Sequence, residues 1–157
     1  MSTSLGPVIF NLATLAEAVG RQAASPWIDV TQDMIGSFAD ATGDRQWIHL
    51  DAERARRDSP HGTTIAHGFL TLSLISQMLR TAIRFETVPR MAINYGLNRA
   101  RFTGIVPVGA RVRGRFTLVH VRTARSGGCL TTWGTVVERE GADTPCCVAE
   151  WMVLYHP

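Results

Sequence analysis

HGFLTLSLISQMLRTAI, residues 67–83, is the stretch whose reading decides the fold. Phe69, Leu70, Leu72, Leu74, Ile75, Met78, Leu79 and Ala82 fall at helical spacing and cover nearly every face. A helix that is apolar all round is a buried one. At 1.5 Å per residue, its roughly 15 residues reach about 22 Å. Downstream the hydrophobic period changes to two. MAINYGL (91–97) alternates and runs on into RARF. In ARVRGRFTLVHVR (110–122), Val112, Phe116 and Leu118 face one way and Arg111, Arg113 and Arg115 the other. CLTTWGTVVERE (129–140) and PCCVAEWMVLYH (145–156) also read as strands, with turns at Ser126-Gly127-Gly128 and Gly141-Ala142-Asp143.

Upstream, Leu12, Leu15, Ala16 and Val19 share one stripe, which predicts a short amphipathic helix over about 8–20. WIDV (27–30) reads as a short strand. Thr31 suits a helix N-cap with Asp33 in the first turn, and Gly43 is a natural stop. Asp51 suits the cap of a second short helix, Ala52 to Arg57. Helices followed by strands indicate an α+β domain, an antiparallel sheet packed on one long helix. The 157 residues are expected to form a single domain.

Composition removes several function classes. Apolar residues make up 45% and charged residues 18%, the balance of an ordinary globular chain. No apolar run approaches the length of a membrane span, and the first 20 residues lack the flanks of a signal peptide. An odd cysteine count, Cys129, Cys146 and Cys147, is no disulfide framework and suits a reducing cytoplasm. All 16 basic residues are Arg, so lysine Schiff-base chemistry is absent. The arginines are dispersed, with no nucleic-acid motif. They read either as a solvated surface or as phosphate contacts, for which the planar guanidinium is suited. The five histidines (49, 61, 67, 120, 156) show no metal-ligand spacing.

Two segments remain that carry chemistry. GDRQWIHLD (43–51) sets Asp44 and His49 five residues apart with Trp47 and Ile48 between them. On one continuous helix the two would point about 140° apart and share nothing. A helix break at Gly43 allows both to converge on one water, a sound arrangement for general acid–base work, with Trp47 and Ile48 as an apolar wall and Trp47 also a candidate for the acyl pocket. The plain alternative is a helix-end Asp and a satisfied His. The second segment is GTTIAHGFL (62–70). Its Gly68 opens the long helix, where backbone N–H groups lack partners and a carbonyl developing negative charge is stabilised. Gly68 also reads simply as a close-packing position, and His67 beside it reads as structural. Leu72, Ile75, Ser76 and Leu79 follow Gly68 on one helix face, either as an acyl-binding wall or as plain core.

FADATGDRQWIHLDAERA (38–55) followed by GTTIAHGFLTLSLIS (62–76) resembles the MaoC-like dehydratases, the (R)-specific enoyl-CoA hydratases or hydratase 2, and within them the nodulation protein N-like group. The resemblance covers most of the chain from about Trp27 onward. It implies the hot-dog fold, an antiparallel sheet wrapped around a central helix, usually as a homodimer. It implies catalytic roles for Asp44 and His49 and a thioester-binding backbone N–H at Gly68. Many members carry Asn-Pro where Gln46 and Trp47 stand, so Gln46 is expected to support the dyad with one more methylene of slack. The expected activity is addition of water to a trans-2-enoyl-CoA, or its reverse, with no metal or redox cofactor. The expected partners are an acyl-CoA or acyl carrier protein thioester and a second copy of the chain, with no membrane or nucleic acid. Arg99, Arg101, Arg111, Arg113 and Arg115 are candidates for CoA phosphate contacts. A hot-dog thioesterase and a non-catalytic acyl-binding subunit are the alternatives.

Overall fold

The computed structural model describes residues 7–125 and 127–157. The expectations for residues 1–6, and for Ser126 in its turn, lie outside the described residues. Four long antiparallel strands make the body of the sheet: β5 (Met91–Phe102), β6 (Arg111–Thr123), β7 (Cys129–Arg139) and β8 (Cys147–His156). The order is β2-β6-β7-β8-β5, where β2 is Gln22–Ala24, and β3 (Ile28–Asp29) also pairs with β6. Alternation dictates which face is dry: Val112, Phe116, Leu118, Trp133, Val137, Ala149, Trp151 and Val153 are buried, as period-two patterning requires.

The helix α4 (Gly68–Ala82) lies across that dry face, with Leu70, Leu72, Leu74, Ile75, Met78, Leu79 and Ala82 buried. It is not apolar all round: Phe69, Ser73, Ser76, Gln77 and Arg80 form an exposed flank. Two polar side chains under the sheet pair with each other. The Trp133 indole N–H donates to Thr131 Oγ1 at 3.0 Å, and that hydroxyl donates to Val153 O at 2.9 Å. Cys146 and Cys147 are core residues, and burial pushes both thiols up to about 11, which keeps them protonated.

The helix expected over 8–20 is instead a strand, β1 (Val8–Phe10), and one 3-10 turn, Leu15–Ala18. β1 pairs in parallel with β4 (Ile83–Phe85), the strand that leaves the end of α4. Pro7 and the Val-Ile-Phe run favour extended backbone, and the Asn11 side chain accepts the Ala13 N–H at 2.9 Å, turning the chain before a helix can start. Tertiary pairing outweighs the weak stripe. Phe10 and Leu15 still reach the core, with Phe10 edge-on to Trp133.

The caps are where the sequence puts them. Thr31 Oγ1 accepts from the Met34 N–H at the start of α1 (Gln32–Thr42), and Asp51 accepts from the Arg54 N–H at the start of α3 (Ala52–Asp58). Between them lies one further turn of helix, α2 (Trp47–Leu50).

Candidate active site

Gly43 ends α1 in the left-handed region at φ 77°, a conformation that favours glycine, and turns the chain sharply into Asp44. α2 then carries His49 inward until it is only 6% exposed. Its Nδ1 lies 2.7 Å from Ile65 O. A carbonyl can only accept, so the proton sits on Nδ1 and the neutral ring presents the Nε2 lone pair as a base. The backbone around it is tied from both sides. The Ile65 N–H donates to Ile48 O at 3.0 Å, and the Ala66 N–H to Val106 O at 2.8 Å. Gln32 Nε2 donates to His49 O at 2.8 Å, while Thr64 Oγ1 donates to Gln32 Oε1 at 2.7 Å.

The turn brings the acid to the imidazole. Ligand-type atoms of Asp44, His49 and His67 all lie within 4.8 Å of one another. Asp44 is exposed, His49 and His67 buried. Burial holds the His49 imidazole below its ordinary range. The Ile65 bond acts in the opposite direction, His67 adds to the lowering, and the Asp44 carboxylate raises it. His49 is therefore neutral near pH 7, as a general base must be. The cluster suits a water better than a metal ion. The His49 and His67 rings stack at 3.7 Å with an interplanar angle of 25°. Their lone pairs lie in near-parallel planes, so an ion about 2.0–2.1 Å from one nitrogen stands out of plane for the other.

Gly68 is the first residue of α4, and among the described residues its N–H, with those of Phe69 and Leu70, has no acceptor. These are the donors at the positive end of the helix dipole. A Cβ at Gly68 would stand 2.9 Å from the Phe102 ring, closer than real Cβ atoms come. The Phe102 ring occupies the place a side chain would take, so a Cβ at this position would have to displace that ring.

The other sequence-derived residues divide. Leu72, Ile75 and Ser76 line a cleft of about 200 Å³ between α4 and β5, closed by Leu97 and Trp151. Ser76 and Leu79 line an adjoining cavity of about 600 Å³ that ends at Ile83, Arg84 and Phe85. Trp47 is not among the residues lining either space, and the Arg54 guanidinium lies over its ring at 4.4 Å. The Gln46 side chain is exposed and makes no hydrogen bond among the described residues; the glutamine that braces the dyad loop is Gln32, from α1.

The five arginines sit on β5 and β6, and four already have carboxylate partners. Arg99 meets Glu150 at 2.9 Å, Arg111 meets Glu140 at 3.0 Å, and Arg113 and Arg115 meet Glu138 at 2.7 and 3.4 Å. Cross-strand register produces these pairs, Arg113 standing opposite Glu138. Among the described residues Arg101 has no such partner. Sequence reading passed over Gln32 and read His67 as structural; both lie against His49. Gln32 acts across 17 and 32 residues of chain, which no local spacing reveals, whereas the His-Gly pair opening the helix was a visible sign for His67.

Comparison with known proteins decides the family. The model of the MaoC like domain matches residues 14–139, well over half of the chain. The chain belongs to the MaoC-like family. It is 48% identical over 146 residues to 3-hydroxyacyl-thioester dehydratase Z of Mycobacterium tuberculosis, covering 92% of this chain and 95% of that protein. It is 41% identical over 145 residues to nodulation protein N of Rhizobium meliloti, covering 92% and 90%. Among solved structures, the (R)-hydratase of A. caviae involved in PHA biosynthesis superposes with a TM-score of 0.69, covering 99% and 100% of the two chains at 22% identity. That likeness shows the hot-dog fold, an antiparallel sheet with α4 across it, and the α+β class read from the sequence.

Proposed function

We propose that the protein is a hydro-lyase of acyl thioesters, adding water to a trans-2-enoyl-CoA to give the (R)-3-hydroxyacyl-CoA, or catalysing the reverse dehydration. The observation that carries this reading is the convergence of Asp44 and His49 on one point by the turn at Gly43. The dehydratase and hydratase names of the relatives support it. One water is held between the Asp44 carboxylate and His49 Nε2. As its oxygen bonds to C3, His49 takes a proton, and C2 receives one on the same face from the dyad, so addition is syn. Charge that develops on the thioester oxygen is met by the Gly68 N–H, a fixed donor of the kind worth about 10²–10³ in rate. No step calls for a metal or a redox cofactor, since the thioester already activates the alkene.

The acyl tail runs along the α4 cleft past Leu72, Ile75, Ser76 and Leu79. From Gly68 to Leu79 is about 16 Å of helix. Leu79→Ala should therefore lengthen the preferred chain, with each methylene accommodated worth about 1 kcal/mol or more in kcat/KM, at a stability cost of roughly 2–5 kcal/mol. The check is kcat/KM across four-, six-, eight- and ten-carbon enoyl-CoA substrates. A uniform fall with no shift in preferred length assigns Leu79 to the core alone. Arg101, which has no carboxylate partner among the described residues and stands next to Phe102, is the arginine we retain for a CoA phosphate. Acyl-CoA and acyl carrier protein thioesters both fit the chemistry.

The working form is a two-fold homodimer joined through β5. That strand is exposed along nearly its whole length and shows Met91, Ile93, Tyr95, Leu97 and Phe102 to solvent. A 12-residue edge strand with these apolar side chains exposed is a template for a second chain. Light scattering at micromolar concentration should give twice the 17.2 kDa chain mass; a fully active monomer contradicts it. We place the protein in the cytoplasm, in keeping with its three free cysteines. No described helix is long and apolar enough to cross a membrane. The reaction is separated from thioester hydrolysis by following enoyl absorbance and free thiol in one sample. Hydration removes the enoyl band without releasing thiol, whereas thiol release would make the protein a thioesterase.

A further inference from the structure

His67 is 3% exposed, and its Nδ1 is a buried polar atom with no partner among the described residues. An apolar side chain of similar size would fill the space without that penalty, so packing alone does not account for an imidazole here. The one hydrogen bond of the ring runs from Nε2–H to the backbone oxygen of Asp44, at 2.9 Å. Asp44 needs such a tether. It is exposed, its carboxylate has no hydrogen-bond partner among the described residues, and its N–H reaches Thr42 Oγ1 only at 3.4 Å. The other side of the His67 contact is the stack on His49 at 3.7 Å, with Phe38 packed on the ring at 5.0 Å.

We propose that His67 is a positioning residue: its Nε2–H pins the backbone of Asp44 while its ring face holds His49, so that carboxylate and base stay on one water. The role rests on the hydro-lyase reading of the same site. It has an electrostatic consequence. The titratable groups facing His49 are Asp44, from the loop after α1, and His67, from the start of α4; Gln32 and the 64–66 segment present uncharged groups. A proton on one stacked ring opposes a proton on the other, so His67 helps to keep His49 in its basic form.

The test compares His67→Gln, whose amide nitrogen reaches about as far as Nε2, with His67→Asn, one methylene too short to reach Asp44. Wild type is first shown to hydrate crotonyl-CoA; its failure to do so would count against the hydro-lyase reading, not against the tether. His67→Asn should lose roughly 10- to 100-fold in kcat at nearly unchanged KM, the scale of a misplaced reacting group, while His67→Gln stays within about threefold. Independently of turnover, the 15N resonances of the His49 ring should titrate at higher pH in both variants than in wild type. Equal kcat in the two variants, or a His49 titration that does not move, overturns the proposal. If His67→Asn does not fold, His67→Leu, of similar size but without the donor, takes its place: a kcat well below that of His67→Gln supports the role, and equal kcat refutes it.

Discussion

Asp44→Asn or His49→Gln should each lower turnover by about 10²–10⁴, the contribution of one positioned acid or base. Asp44→Asn should leave the thermal midpoint nearly unchanged, because Asp44 is exposed and its backbone carries the contacts. If both groups act on one water, the double variant should be little worse than the worse single one, because such effects do not add. The pH profile carries a sign. His49 acts as a base only when unprotonated, and burial lowers its pKa from the ordinary 6.5. The acid limb of kcat/KM should therefore fall below 6.5, activity being full above it and lost as pH drops through the lowered value. His49→Gln should abolish that limb. Steady-state kinetics on the best enoyl thioester reads both effects, and near-normal turnover in either single variant removes the residue from the chemistry.

A second large effect is expected at Gly68, where one substitution keeps the N–H and another removes it. Gly68→Ala keeps the N–H but sets a methyl 2.9 Å from the Phe102 ring, which is half exposed and able to shift. Its cost in kcat should be roughly tenfold or less. Gly68→Pro adds two further ring carbons, with Cδ in place of the amide hydrogen, and so deletes the donor. The helix tolerates it, because proline suits the first helical position and His67, at φ −58° and ψ 139°, already has the backbone that precedes a proline. If the N–H receives the thioester oxygen, Gly68→Pro should fall a further 10²–10³ below Gly68→Ala, the loss of one oxyanion donor. Equal activities in the two variants would reduce Gly68 to a packing position.

The long elements were legible because their periodicity and caps are local. The α4 stretch, the Thr31 and Asp51 caps and the four long strands are each specified within a few residues of themselves. The convergence of Asp44 and His49 followed from one further local fact, the break at Gly43. What escaped depends on distant chain. β1 exists because β4 arrives beside it 75 residues later, so an amphipathic stripe over 8–20 gave the wrong element. Gln32 braces His49 through a contact that α1 can make only after α2 has packed against it. Trp47 was assigned to the acyl wall from hydrophobicity, yet Arg54 one helix later claims its ring face. The arginines were read as a solvated surface or as phosphate contacts, while strand register had already matched four of the five candidates with glutamates. Exposed pairs of this sort add little stability, so their main effect is to occupy the guanidinium groups.

The most direct test of hydration at the Asp44–His49 site is the fate of crotonyl-CoA. Purified protein should remove the enoyl absorbance, and chiral analysis of the product should find (R)-3-hydroxybutyryl-CoA; an (S) product, or an enoyl band left intact for every acyl length from four to ten carbons, would contradict the account.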